Sequence, residues 1–128
     1  MTSPSSHLTL KEFCNSHYKG SAKHDGLEAV IDGIASGARD LEGQIRNGNL
    51  LGMLGTTGDV NVQGEIVQQL DAISSDTFVK KFQESGRVAM VGCEEIEHPV
   101  TFGDREQHNY IVLMDPFDGT TKLHFRLS

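Results

Sequence analysis

The apolar residues in the first two thirds of the chain follow a helical period. Leu27–Arg46 is the clearest case, because its apolar side chains recur in steps of three and four residues and so share one face of a helix. A second long helix is predicted from about Gln63 to Glu84, and a short one from Leu8 to His17. Gly33 and Gly37 each cost the first long helix about 1 kcal/mol in helix propensity, so we expect tertiary packing to hold it.

The stretch that joins the two long helices, Gly48–Gly58, is unusual in composition. It combines four glycines with a set of apolar residues, Leu50, Leu51, Met53 and Leu54. Such a stretch is too rich in glycine for a rigid element and too apolar for an idle linker. Two interpretations stay open, a partly buried connection and a mobile loop over a site.

After the second long helix the pattern changes from helical to extended. Short strands are predicted at Val88–Gly92, Val100–Phe102 and Tyr110–Met114, and Leu123–Leu127 could begin a further one. Ile111–Met114 is apolar without alternation, so we expect that strand to be covered on both faces. Helices followed by strands predict an α+β fold with N-terminal helices packed on a mainly antiparallel sheet.

Composition and charge narrow the class of protein. The 128 residues suit one domain, and 11 Lys and Arg against 18 Asp and Glu give a net charge of -7, which argues against nucleic-acid or anionic-membrane partners. No apolar run approaches the roughly 20 residues of a membrane span. Residues 1–7 lack the features of a signal peptide and are expected to be disordered. Cys14 and Cys93 form no disulfide framework, which predicts a cytoplasmic location, and we expect Cys93 to be a buried small side chain.

Acidic residues stand directly after two of the predicted strands. Glu94 and Glu95 follow one of them, and Asp115 and Asp118 follow another. Side chains at neighbouring strand ends can converge on one crevice. Carboxylates held close together repel one another unless a cation neutralises them, and hard oxygen ligands select Mg²⁺ or Mn²⁺ rather than zinc. The pattern therefore predicts a divalent-metal site or an electrostatically strained one.

The segment Asp115-Pro116-Phe117-Asp118-Gly119-Thr120-Thr121 adds a local signal. Pro116 biases Asp115 towards extended backbone, which keeps the carboxylate at the end of its strand. Gly119 permits a tight reversal with exposed backbone N–H groups, and these with the two hydroxyls that follow would suit a phosphate. Taken alone, the segment also fits an ordinary turn, and Glu94–Glu97 an ordinary solvated strand end.

Together these segments resemble the magnesium-dependent sugar phosphatase superfamily, which includes fructose-1,6-bisphosphatase and inositol monophosphatase. Leu54–Gly58, Asn61–Glu65, Gln69–Asp71 and Tyr110–Pro116 narrow the resemblance to class 1 fructose-1,6-bisphosphatase. The resemblance implies that residues 8–128 form the N-terminal part of such a domain, without the C-terminal sugar-binding half. The implied fold is an incomplete portion of the family's layered αβαβα sugar phosphatase fold.

The resemblance also implies a role for each matching residue. The implied metal ligands are Glu94, Glu95, Asp115, Asp118 and the backbone carbonyl of Phe117. The implied catalytic residues are Glu65, Asp71 and Glu95, with Asp71 helping to activate water. The implied contacts to the substrate phosphate come from Asp118, Gly119, Thr120 and Thr121. Gly48–Val60 would be the loop that closes over the site.

The implied reaction is the Mg²⁺-dependent hydrolysis of the 1-phosphate of fructose 1,6-bisphosphate to fructose 6-phosphate and phosphate, in gluconeogenesis. Mn²⁺ is an alternative cofactor, and family enzymes are homo-oligomers, with a tetramer as the family state. The resemblance stops after Thr121, where Lys122–Ser128 replaces the family's Asn-Ile-Asp continuation. We therefore expect a truncated chain whose activity in isolation is an open question.

Three further expectations concern regulation and alternative functions. His24–Glu28 stands where the family has its AMP-binding loop, and Asp25 would repel a phosphate, which argues against AMP regulation. One alternative function is a non-catalytic fragment that associates with full-length subunits. Another is an inositol or nucleotide phosphatase of the same superfamily.

Overall fold

The computed structural model describes residues 7–103 and 106–116 of the chain. In this part of the chain, helices come first and strands follow. The helices are α1 (Leu10–His17), α2 (Leu27–Gly48), α3 (Leu50–Thr56) and α4 (Val60–Ser85), and the strands are β1 (Val88–Cys93), β2 (Val100–Thr101) and β3 (Tyr110–Met114). The α+β class is therefore confirmed, whereas the strand considered at Leu123–Leu127 lies outside the described residues. None of the helices in the described part is long and apolar enough to cross a membrane.

Polar caps set where two of the helices begin. The Thr9 hydroxyl accepts a hydrogen bond from the backbone N–H of Glu12, and the Glu12 carboxylate accepts one from the Thr9 N–H, which forms a capping box on α1. The Asp59 carboxylate accepts hydrogen bonds from the N–H groups of Asn61 and Val62, at 2.8 and 3.2 Å. This cap starts α4 three residues before the apolar pattern that predicted it.

The glycine-rich connection is helical, so the expectation that it forms no rigid element is wrong. Asn49 adopts a left-handed conformation with φ 51°, which ends α2 and redirects the chain into α3. Leu50 and Leu54, one turn apart, are both buried in a cluster with Ile66 and Leu70 of α4. Tertiary burial of these leucines outweighs the low helix propensity of the glycines.

The two long helices, α2 and α4, pack closely through small residues. Gly33 and Gly37 are buried on the face of α2 that meets α4. A Cβ atom on Gly37 would lie 2.8 Å from Cε1 of Phe78, so the ring occupies the space that a side chain would need. The expectation that packing holds α2 in place is therefore confirmed.

The main core lies between these two helices and the sheet. Its buried members are Val30, Leu41, Phe78, Phe82, Val88 and Val91. Burial of such side chains removes apolar surface from water at about 25 cal/mol per Å². The core therefore holds α4, which carries Glu65 and Asp71, against β1, which leads into Glu94 and Glu95.

The three strands form a sheet in the order β2-β1-β3. β1 pairs with β3 in parallel, from Val88 opposite Tyr110 to Cys93 opposite Met114, and pairs with β2 antiparallel over two residues. The described part of the sheet is thus mixed, where the sequence analysis expected a mainly antiparallel one. After β1 the chain forms β2 at one edge of the sheet and β3 at the other edge. β3 runs in the same direction as β1.

One face of β3 is open in the described part of the chain. Val112 and Met114 pack towards the core, whereas Ile111 and Leu113 are 62% and 81% exposed. The described helices cover one side of the sheet, so the predicted cover on both faces of β3 is not found among these residues.

The close approach of α2 and α4 yields a matched pair of predictions. Gly37→Ala should lower the free energy of unfolding by about 1–3 kcal/mol, because the new methyl group overpacks against the Phe78 ring. Gly43→Ala, in the same helix, should raise it by about 0.5–1 kcal/mol, since a Cβ there meets nothing within 4 Å. Urea unfolding curves would measure both, and equal effects of the two substitutions would contradict this account of the packing.

Candidate functional site

The ends of β1 and β3 bring three carboxylates together. Cys93 and Met114 lie opposite each other at the last pair of the parallel ladder, and the Glu94 N–H donates to the Met114 carbonyl at 3.4 Å. The residues that follow therefore leave the sheet side by side. One carboxylate oxygen each from Glu94, Glu95 and Asp115 lie within 4.8 Å of one another.

A fourth carboxylate, that of Asp71, approaches this cluster from α4. Asp71 is half-buried on the helix that packs against β1. Its negative charge is one of the causes that raise the pKa of the Glu95 carboxyl group. Among the described residues, the group with converging oxygens is Glu94, Glu95 and Asp115 without Asp71, so the catalytic role of Asp71 stays a prediction.

The pKa of Glu95 lies above its usual value for three reasons. Partial removal of the carboxyl group from water is the largest cause, and the negative charges of Asp71 and Asp115 follow. Each of these disfavours the ionised form. The cluster therefore has the electrostatic strain that the sequence predicted for carboxylates held together without a cation.

Glu65 lies apart from Asp71 and from the three carboxylates at the strand ends. It is exposed and sits six residues before Asp71 on α4, which places it about 9 Å away along the helix axis and about 120° around it. Among the described residues, the group of carboxylates with converging oxygens does not include it.

The other five predicted residues follow the described part of the chain. Phe117, Asp118, Gly119, Thr120 and Thr121 lie outside the described residues. Their roles as metal ligands and phosphate contacts stay predictions.

The donor set suits a hard divalent cation. Glu94 and Glu95 are exposed and Asp115 is half-buried, so the cluster is open to solvent and to ligands. Carboxylate oxygens are the ligands that Mg²⁺ and Mn²⁺ prefer, and Mg²⁺ is held by one or two carboxylates while it keeps several waters. The three residues therefore fit such an ion in donor type, charge and accessibility.

One polar contact beside the site was not foreseen. Cys93, expected to be a buried apolar side chain, is half-buried, and its Sγ lies 3.4 Å from the Ser75 hydroxyl of α4. Ser75 itself is 4% exposed. The sequence does show a polar residue, Ser75, between the apolar residues Ile73 and Phe78 of the predicted helix. It does not show which residue of another element Ser75 contacts.

The opposite end of β1 and β3 is occupied by a different set of contacts. Arg87 donates to the Asp25 carboxylate at 3.1 Å, and the Tyr110 hydroxyl donates to the Asp25 carbonyl at 2.9 Å. The pKa of Tyr110 is raised, first by partial burial and then by the negative charges of Asp25 and Glu28. The positive charge of Arg87 offsets part of this rise. The Asp25 carboxylate on which the AMP expectation rests is thus engaged with Arg87, and that expectation stays a prediction.

Comparison with known proteins identifies relatives over nearly the whole chain. Residues 8–128 match the family model described as "Fructose-1-6-bisphosphatase, N-terminal domain". Relatives named class 1 fructose-1,6-bisphosphatase include one from Polynucleobacter asymbioticus, 31% identical over 98% of this chain and 37% of its own length. Another, from Methylobacillus flagellatus, is 34% identical over 94% of this chain and 36% of its own. A chloroplastic fructose-1,6-bisphosphatase from Glycine max is 32% identical over 76% of this chain and 24% of its own length. The chain thus spans about a third of the length of the curated relatives it matches.

The raised pKa of Glu95 predicts how stability depends on pH when no metal is bound. The folded protein holds the Glu95 proton more tightly than the unfolded chain does, so stability should fall as pH rises from about 4.3, the usual pKa of Glu, through the raised value. Glu95→Gln should remove this part of the pH dependence. The variant should then exceed the natural sequence in stability above that range. Urea unfolding in EDTA at a series of pH values would measure the difference.

A matched control removes a neighbouring charge of the same kind. The side chain of Glu97 is 89% exposed, so Glu97→Gln should change the free energy of unfolding by no more than about 0.5 kcal/mol at any of these pH values. If both substitutions shift the pH profile alike, a general charge effect rather than the cluster governs it.

Proposed function

The chain belongs to the fructose-1,6-bisphosphatase family, and we propose that it carries the metal-binding part of that activity. The proposed reaction is the Mg²⁺-dependent hydrolysis of the 1-phosphate of fructose 1,6-bisphosphate. The observation that carries the proposal is the convergence of Glu94, Glu95 and Asp115, with oxygens within 4.8 Å of one another, in a chain of this family. Mn²⁺ is the alternative cofactor, and the same proposal includes a homo-oligomer in the cytoplasm, with the charge of Asp25 arguing against AMP regulation.

The proposed roles follow from where the residues lie. Glu94, Glu95 and Asp115 would hold the ion at the strand ends, with Asp118 and the carbonyl of Phe117 completing the set. A bound ion would polarise the phosphoryl group and lower the pKa of attacking water. Asp71, which faces Glu95 from α4, would accept a proton from that water.

The substrate side of the proposal depends on residues of the following segment. Asp118, Gly119, Thr120 and Thr121 would hold the phosphate through backbone N–H groups and hydroxyls. Glu65 keeps the catalytic role that the family resemblance implies, although on α4 it lies apart from the carboxylate cluster.

A second candidate function is a non-catalytic subunit that associates with full-length relatives. It is favoured by the open apolar face of β3, where Ile111 and Leu113 are 62% and 81% exposed. An apolar strand face of this kind is a place for a partner to bind. Co-purification with an intact phosphatase would support this function, and a monomer in sedimentation would count against it.

The proposed metal site predicts the effect of neutralising single ligands. Titration of the 128-residue chain with Mn²⁺ should give saturable binding, and Glu95→Gln or Asp115→Asn should weaken it by at least about tenfold, because each removes a charged oxygen ligand. Glu97→Gln removes a charge outside the cluster and should leave the affinity unchanged. Calorimetry would measure all four proteins, and equal affinities would exclude the cluster as the metal site.

The proposed reaction needs the rest of a phosphatase for its test. Residues 8–121 would replace the matching segment of the Methylobacillus flagellatus relative, and the chimera should release phosphate from fructose 1,6-bisphosphate when Mg²⁺ is present. Glu95→Gln in the chimera should lower turnover by at least about 100-fold, since it removes charge that positions the ion in the transition state. A chimera that releases no phosphate would refute the proposed function, and unchanged turnover in Glu95→Gln would refute the assigned role of Glu95.

A further inference from the structure

A buried polar contact joins the helix and the strand that carry the acidic cluster. The Ser75 hydroxyl of α4 lies 3.4 Å from Sγ of Cys93, the last residue of β1, a hydrogen bond in which either atom can donate. Ser75 is 4% exposed and Cys93 is half-buried. A buried hydroxyl needs a partner, so this contact constrains where the two elements meet.

Both ends of this contact lie next to residues of the cluster. Cys93 directly precedes Glu94 and Glu95 in the chain. Asp71 lies four residues before Ser75, on the same face of α4 and about 6 Å away along its axis. A shift of α4 along β1 would therefore move Asp71 past Glu95 by the same amount.

We propose that Ser75 is a positioning residue that sets the distance between Asp71 and the carboxylates at the end of β1. Apolar contacts between α4 and β1 press the two elements together, but they tolerate sliding because they have no direction. The hydrogen bond between Ser75 and Cys93 is directional and fixes one point of the interface. The role of Ser75 in metal binding rests on the proposed function. Its structural effect on the end of β1 does not.

The neighbouring serine supplies a matched control. Ser74 is fully buried, and its hydroxyl donates to the Leu70 carbonyl at 2.6 Å within α4 itself. Ser74→Ala thus removes a buried hydroxyl from the same helix without touching β1. Any effect that Ser75→Ala shares with it is a general effect on stability.

The first measurement is Mn²⁺ affinity of the 128-residue chain by calorimetry. Ser75→Ala should weaken binding roughly tenfold, because it releases Cys93, the residue that leads directly into the proposed ligands Glu94 and Glu95. Ser74→Ala should leave the affinity unchanged. The double variant Ser75→Cys with Cys93→Ser keeps a hydroxyl and a thiol in contact and should restore most of the affinity. Equal effects of Ser75→Ala and Ser74→Ala would overturn the proposal.

The second measurement is amide hydrogen exchange without metal. The Glu94 amide donates to Met114 and the Ile96 amide to Cys93, so both report on the end of β1. The Phe102 amide donates to Ala89, near the start of that strand. Ser75→Ala should speed exchange at Glu94 and Ile96 by at least about threefold relative to Phe102, and Ser74→Ala should not.

The two measurements separate this inference from the proposed function. If the natural sequence binds no Mn²⁺, the metal site is refuted, and the exchange experiment still decides the positioning role. Faster exchange confined to the end of β1 supports it, whereas unchanged exchange, or a uniform change at all three amides, overturns it.

Discussion

The parallel pairing of β1 with β3 is the constraint on which the candidate site depends. Because the two strands run in the same direction and end at the same pair, Cys93 opposite Met114, the acidic residues that follow each strand meet at one edge. In an antiparallel pair of this length, Asp115 would lie about 17 Å away from Glu95, at the other end of the ladder. Direction, more than sequence proximity, therefore creates the cluster.

The cluster is held together against its own charge. Desolvation and the negative charges of Asp71 and Asp115 raise the pKa of Glu95, because each of them disfavours the ionised carboxylate. The packing of Phe82 and Val91 in the core holds α4 to β1 and offsets that repulsion. Local strain supported by packing elsewhere is common at functional sites.

Patterns within the chain predicted the elements and the acidic strand ends, but not the contacts between elements. Helical periodicity identified α2 and α4, and the position of Asp115 directly after an apolar strand predicted its convergence with Glu95. Local sequence did not identify α3, whose helix depends on burying Leu50 and Leu54 against α4. Nor did it predict the direction of β3 or the contact between Ser75 and Cys93, because periodicity indicates which face is buried and not what covers it.

The two ends of the β1–β3 pair differ in how their charges are balanced. At one end the Asp25 carboxylate is matched by Arg87 at 3.1 Å and its carbonyl by the Tyr110 hydroxyl. At the other end, within residues 7–103 and 106–116, none of the ion pairs joins Glu94 or Glu95 to a basic side chain. The two carboxylates are exposed, so water can solvate them when no ion is bound. A divalent cation would neutralise them together with Asp115, because several carboxylate oxygens can share one ion.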